Sequence, residues 1–254
     1  MMAEVGEAYH LAAAVGVHTI MDKPLDSLIL NTRGTEIMLD AAEEHKTPVM
    51  LISTSEIYGK NTKLPFHEGD DRVYGSAYNY RWGYAFSKGI DEFLGLAYFR
   101  EREVPVRIVR LFNVIGPRQT GEYGMVVPRF IQQALVGEPI TVHGTGRQTR
   151  SFADVDDITD ALIKIMHHPK SRGEIYNLGS DEEISINSLA KKILRLTQSS
   201  SRILYIPHDK VYGKGFEDMQ RRRPDISKVK KLINYNPKHS LEDTIKGIIE
   251  YEQR

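Results

Sequence analysis

The chain has 254 residues, enough for one large α/β domain or two lobes with a sizeable core. Its 34 Lys and Arg balance its 34 Asp and Glu, so no net charge draws it to nucleic acid or an anionic membrane, and the lack of cysteine excludes disulfides, thiolate metal sites and thiol nucleophiles. There is no signal-like start and no apolar run long enough to span a bilayer, so the expectation is a soluble cytoplasmic protein with no metal site.

His10 to Ala14 (HLAAA) reads either as the end of a buried strand whose small residues let a ligand approach the backbone, or as ordinary core. Residues 26–42 follow a helical pattern, with Thr35, Ile37, Met38, Ala41 and Ala42 on one face and Asn31 and Gly34 near the start. Residues 48–52 (PVMLI) form a continuous apolar run, as in a strand buried on both faces. It leads into Ser53, Thr54, Ser55 and Glu56, where open parallel sheets place ligands. Residues 60–81 are a long polar loop, expected to cover the site.

Tyr84 and Lys88 are four apart in the stretch NYRWGYAFSK, so on a helix the phenol and the ammonium share a face. A nearby ammonium lowers the pKa of a phenol and fits it to take a proton from an alcohol. The period of Ile90, Phe93, Leu94, Ala97 and Tyr98 supports the helix and predicts that this face packs on the core. Residues 106–112 (VRIVRLF) read as another buried strand, ending at Asn113. The alternation of strand and helix argues a parallel doubly wound sheet, with Thr54, Asn113 and Tyr84 delivered to one edge.

In the second half, residues 126–136 suggest a helix opening at Pro128, and 140–142 a short strand. Asp154 and Ser185 are placed to cap helices, residues 175–178 read as a strand, and Ser240 with Asp243 forms a capping-box pattern. Arg221, Arg222 and Arg223 form the dense basic cluster, suited to phosphate or to a solvated face.

In this order HLAA, STSEIYG, YAFSK, RLFNVIGPR, GRQTRSF and RRPDISK resemble the extended short-chain dehydrogenase/reductase family of nucleotide-sugar epimerases, dehydratases and decarboxylases. The resemblance implies a Rossmann-type domain (1–113 with about 152–179) holding NAD. It also implies a smaller C-terminal α/β lobe (114–151 with 180–254) for a nucleoside-diphosphate sugar, expected to be a UDP-sugar. By the same resemblance Tyr84 is the base, Lys88 its activator, Thr54 the partner of the reacting hydroxyl, and Glu56 a further catalytic residue. Leu11, Ala12, Ala13, Asn31, Ser53 and Phe112, with Tyr84 and Lys88, would line the cofactor pocket; Thr54, Asn113, Val127, Arg150 and Arg222 would hold the substrate. The family also implies a homodimer.

The family's glycine-rich turn and its ribose-binding acid precede the HLAA motif, and the nine residues before His10 contain neither. The expectation is an N-terminally truncated domain, exposed at one sheet edge, that binds NAD poorly. Ser55 stands where the family's dehydratases carry their acid, which disfavours dehydration. STSE resembles UDP-glucuronate decarboxylases, yet the tyrosine those enzymes share near the carboxylate has no counterpart around Ile20, and the run from His10 to Gly16 is closer to epimerases. The sequence therefore points first to a 4-epimerase acting by transient oxidation at C4, then to a UDP-glucuronate decarboxylase, then to an inactive dinucleotide-binding chain.

Overall fold

A computed structural model describes residues 2–121, 124–213 and 217–254. In chain order, β1 (Ala8–His10) leads into α1 (Val17–Asp22) and α2 (Pro24–His45). Then come β2 (Val49–Thr54), α3 (Gly83–Arg102), β3 (Val106–Leu111) and β4 (Val114–Ile115). Next are α4 (Val126–Leu135), β5 (Ile140–His143), β6 (Thr149–Ser151), β7 (Ala153–Asp154), α5 (Val155–His167), β8 (Ile175–Leu178) and β9 (Glu183–Ser185). The chain closes with α6 (Ile186–Thr197), β10 (Ile203–Ile206), α7 (His208–Tyr212), α8 (Ser227–Ile233) and α9 (Leu241–Glu252).

The main sheet is parallel, in the order β1-β2-β3-β8, with Ala8 beside Val49, Val49 beside Val106 and Ile108 beside Ile175. Both faces are covered, and alternation along the strands divides the side chains between them. Val49, Leu51, Val106 and Ile108 point into a cluster with α2, whose Leu39 and Ala42 are fully buried there. Met50 and Val109 point the other way, onto Ile158, Ala161, Leu162 and Ile165 of α5. β1 forms the edge of the described sheet; its register ends at His10, and Leu11 and Ala12 beyond it are exposed rather than core.

A second cluster joins α4, β5, α6 and α9 through Val127, Phe130, Ile131, Ile140, Leu189, Ile193, Ile245 and Ile248. The expected caps close as hydrogen bonds: Asp154 accepts from Asp156 N, Ser185 from Ser188 N, and Ser240 with Asp243 forms a complete capping box. α4 begins at Val126, so Pro128 sits in the third position of the helix rather than opening it. Ile226, Val229 and Tyr235 pack with the α5 face of the main sheet.

Two expectations fail for physical reasons. The face of α3 turned inward is the apolar series only in part: Leu94 and Tyr98 pack against the cluster with α2, but Phe93 is 69% exposed and Ala97 is exposed, whereas Ser87, Lys88, Asp91 and Glu92 are buried. Gly95 makes this close seat possible, since a Cβ there would lie 2.6 Å from Leu51 Cδ1. The loop 60–79 is also no lid. It is bound into the body of the protein, with Phe66 stacked on Tyr58 at 4.5 Å between ring centroids and Glu68 accepting from Asn177 N at 2.8 Å. Of the stretch expected to cover the site, Arg81 alone lines the cleft.

Candidate active site

A cleft of about 430 Å³ lies at the carboxyl ends of β1, β2 and β3 and extends over β5, α4 and α7. Open α/β sheets bind ligands at this edge. Its walls carry Leu11, Ala13, Ser53, Thr54, Glu56, Tyr84, Lys88, Asn113, Val127, Arg150 and Arg222. Three of the expected residues stand apart. Phe112 is wholly buried with Ile57, Tyr58, Phe66 and Trp82, so its ring offers the cofactor no surface. Ala12 is exposed beside the cleft rather than on its wall. Asn31 is buried behind the wall, where it accepts from Ala14 N at 2.7 Å and donates to Ser87 Oγ at 3.2 Å.

Thr54 ends β2, and its hydroxyl does two jobs. It accepts from Glu56 N at 3.2 Å, opening a short 3-10 turn, and on the wall of the cleft it favours the phenolate of Tyr84. Burial pushes the Tyr84 phenol above its ordinary range and the Glu56 charge adds to the rise, while the Thr54 hydroxyl opposes it. The expected acidification by Lys88 is therefore corrected: the Lys88 ammonium donates to Asp91 Oδ2 at 2.9 Å. Their side chains are 3% and 2% exposed.

Glu56 is held between two arginines. Arg81 donates to one carboxylate oxygen and Arg222 to the other, the latter at 2.9 Å. Burial alone would raise this carboxyl, but the charges and hydrogen bonds of Arg81 and Arg222 together outweigh it and hold the group down at about 2. Arg222 also donates to Asn113 Oδ1, and Asn113 Nδ2 to Ser151 O at 2.7 Å. Asn113 has φ 32°, a left-handed conformation that costs free energy for a non-glycine residue and is kept here by these two partners. Arg222 thus belongs to the site, whereas Arg221 pairs with Glu183 on the exposed side. Arg150 donates to Asp218 Oδ2 and to Met219 O, both at 2.8 Å.

Sequence reasoning missed Arg81, Asp91, Arg129 and Asp218. Arg129 is the informative omission. It lines the end of the cleft formed by α4 and β5, bonds His143 Nε2 at 2.8 Å and donates to Thr141 O at 3.2 Å. Its Nε has no partner, no carboxylate among the described residues pairs with it, and burial pushes its pKa down. A single arginine in an otherwise amphipathic helix gives no local signal of this kind. Only the spatial census of carboxylates separates it from Arg81, Arg150 and Arg222.

The nicotinamide and ribose half of a dinucleotide fits the residues present. Lys88, Tyr84 and Ser53 meet at the strand ends beside the small Ala13, and the buried His10 Nε2 and Asp91 Oδ1 carry no hydrogen bond. For the pyrophosphate half, the described residues after β1 provide no glycine-rich turn.

The GDP-mannose 4,6 dehydratase family model matches residues 2–248. The chain is 45% identical to a UDP-N-acetyl-α-D-glucosaminuronate decarboxylase of Bacillus cytotoxicus, over 96% of this chain and 75% of that protein. It is 37% identical to UDP-glucuronic acid decarboxylase 1 of Danio rerio, over 99% of this chain but 58% of that one. Among solved structures, the UDP-glucuronic acid 4-epimerase of Bacillus cereus in complex with UDP-glucuronic acid and NAD superposes with a TM-score of 0.87 and 28% identity. That likeness covers 99% of this chain and 78% of the other. A parallel sheet of the same topology and an ordered set of site motifs therefore share one explanation: the chain belongs to the short-chain dehydrogenase/reductase family of NAD-dependent nucleotide-sugar epimerases and dehydratases.

Proposed function

We propose that the chain carries the site of a UDP-hexuronate decarboxylase that works by transient oxidation at C4 of the sugar. The observation that carries this reading is that Thr54, Tyr84 and Lys88 line one cleft beside a Glu56 that two arginines keep ionised. Tyr84 takes the proton of the C4 hydroxyl while Thr54 holds the same oxygen. NAD, when bound, supplies the acceptor for the C4 hydride and later returns it. A ketone at C4 turns the C6 carboxylate into a β-keto acid: the C5–C6 bond breaks, carbon dioxide leaves, the electron pair is delocalised onto the C4 oxygen as an enolate, and C5 regains a proton.

Glu56 speaks against dehydration, since a carboxyl held at about 2 has no proton to give a leaving hydroxyl at neutral pH. Arg81 and Arg222 share Glu56 and Arg150 pairs with Asp218, whereas Arg129 pairs with no carboxylate among the described residues, so Arg129 suits the diphosphate of the substrate. The 45% identity to a UDP-N-acetyl-α-D-glucosaminuronate decarboxylase favours decarboxylation. The likeness to the Bacillus cereus enzyme keeps 4-epimerisation as the second reading, in which the 4-keto sugar turns over and regains hydride on its other face.

Incubation with NAD and UDP-glucuronate or UDP-N-acetylglucosaminuronate labelled at C6 separates the readings. Labelled carbon dioxide supports the first; a C4-inverted product that keeps its label replaces it with the second. Tyr84→Phe is expected to lower turnover by about 10²–10⁴-fold without loss of fold. Unchanged turnover in this variant would return the chain to a dinucleotide-binding role without catalysis. A homodimer is part of the proposal, because α2 and α3 present Leu25, Ile29, Ile37, Phe86 and Phe93 to solvent.

A further inference from the structure

Arg129 is held by a partner that can itself take up a proton. Its Nη1 lies 2.8 Å from His143 Nε2 and 3.4 Å from His143 Nδ1, and Nδ1 lies 3.1 Å from the Tyr212 hydroxyl. A guanidinium only donates, so the ring nitrogen that meets it must accept, and an imidazolium has no nitrogen left to accept with. The contact therefore requires a neutral His143. Nε2 is the nearer nitrogen, which leaves the ring proton on Nδ1, donated to Tyr212 Oη. Burial pushes the Tyr212 phenol up, so it meets this proton as a neutral hydroxyl. The two rings stand edge to face with centroids 5.6 Å apart, and all three side chains line the cleft. The Arg129 charge, which no carboxylate among the described residues answers, thus stands against a ring that its own contact keeps uncharged.

We propose, on the reading that Arg129 takes the diphosphate of the substrate, that His143 is the second cation of that subsite, neutral in the free protein and protonated from solvent when the diphosphate binds. Two changes push the same way. A diphosphate that takes over Arg129 Nη1 releases the lone pair on His143, and its negative charge answers the positive one that had opposed the imidazolium. The groups that face the ring leave this switch intact. From α4 comes Arg129; from α7 come Tyr212 and His208, the latter packed over Gly144, where a Cβ would lie 2.6 Å from its Nε2. From β10, Ile206 pairs with His143 in the ladder, and from α6, Asn187 donates to Thr145 O; neither brings charge. Beyond the Tyr212 phenol, Asp218 opposes its ionisation and Arg81 favours it, so the two offset each other. A carboxylate beside His143 would hold the ring charged with or without ligand. An arginine stands there instead, so the charge follows the ligand. By linkage, a ring that gains proton affinity on binding makes the site bind more tightly as pH falls.

Calorimetric titration of the full chain with UDP-glucuronate, without added NAD, in buffers of different ionisation enthalpy counts the protons taken up. The diphosphate of this ligand is a diester and the ligand has no group that titrates between about pH 5.5 and 8, so the count belongs to the protein. The expected uptake is about half a proton or more at the pH of its maximum, with Kd tightening about tenfold or more as pH falls through that range, as an adjacent opposite charge brings. His143→Gln should abolish the uptake and flatten the pH dependence, His208→Gln should keep the uptake, and Arg129→Gln should weaken binding at every pH. Binding without uptake in the unsubstituted protein overturns the proposal, as does uptake that survives His143→Gln or is lost in His208→Gln. If His143→Gln does not fold, His143→Phe takes its place, and nitrogen-15 spectra of the unsubstituted protein must show a histidine ring passing from neutral to imidazolium on binding; no such passage overturns the proposal. If Arg129→Gln binds as tightly as the unsubstituted protein, or UDP-glucuronate does not bind at all, the reading beneath the proposal falls and takes it along. Binding that Arg129→Gln weakens but that takes up no proton sinks the proposal alone.

Discussion

Helices α3 and α6 bury stripes of the same helical spacing and opposite chemistry. In α6 the stripe is Ile186, Leu189, Ala190 and Ile193, and it closes the second hydrophobic cluster. In α3 it is Ser87, Lys88, Asp91, Glu92 and Gly95, with Phe86 and Phe93 left in solvent. α6 is held by apolar burial, which is non-directional and legible as a pattern. α3 packs Leu94, Leu96 and Tyr98 on the core but adds directed contacts: Glu92 receives Ser53 Oγ at 2.5 Å, Arg110 Nε at 2.9 Å and Arg110 Nη2 at 2.8 Å. A buried polar face is tolerable only when its groups are paired. The departure from ordinary patterning falls on the helix that carries the candidate base, as expected where local rules yield to function.

This contrast can be broken at four points. Glu92→Ala should be the most damaging, since it leaves Arg110, itself fully buried, without its carboxylate; a loss of about 3–5 kcal/mol is expected from urea unfolding. A loss under 1 kcal/mol would mean that the polar face of α3 is no more than tolerated. Leu189→Ala on α6 should cost about 2–5 kcal/mol, read in the same way, through lost burial and a residual cavity.

Glu56 gives a pH signature that the apolar helix lacks. Its folded pKa of about 2 lies below the usual 4.5, so its contribution is present above pH about 4.5 and is lost as pH falls toward 2. The shift corresponds to roughly 3 kcal/mol. Unfolding midpoints measured at pH 6 and pH 3 should show a drop that Glu56→Gln reduces, the remainder coming from other lowered carboxyls such as Asp70 and Asp225. The smallest effect is expected from Phe93→Ser: within about 0.5 kcal/mol for the monomer, as for other exposed positions. If α2 and α3 meet a second copy, sedimentation of this variant should nevertheless shift toward monomer.

Much of the fold was legible in the chain. The runs at 49–52 and 106–111 are strands because continuous apolar sequence fits only a sheet covered on both faces, and Asp154, Ser185 and Ser240 cap helices because their short oxygens reach free backbone N–H groups. Tyr84, Lys88 and Thr54 were likewise nameable, because fixed spacing on a helix and a polar strand end are local features. The partners of these groups were not. Arg222 reaches Glu56 across 166 positions, Lys88 pairs with Asp91, and Arg129 Nε has no partner among the described residues. Phe112 was misplaced for the same reason, since its ring turns into the core.

The sequence by itself determined the strands, the caps and the chemical inventory of the site, because periodicity and short-range hydrogen bonding act within a few residues. Only the tertiary structure decided which stripe of α3 faces inward and which cation neutralises which carboxylate. Apolar periodicity can mark a stripe that ends up partly in solvent, as Phe93 and Ala97 do on α3, and electrostatic pairing depends on distance through space rather than along the chain.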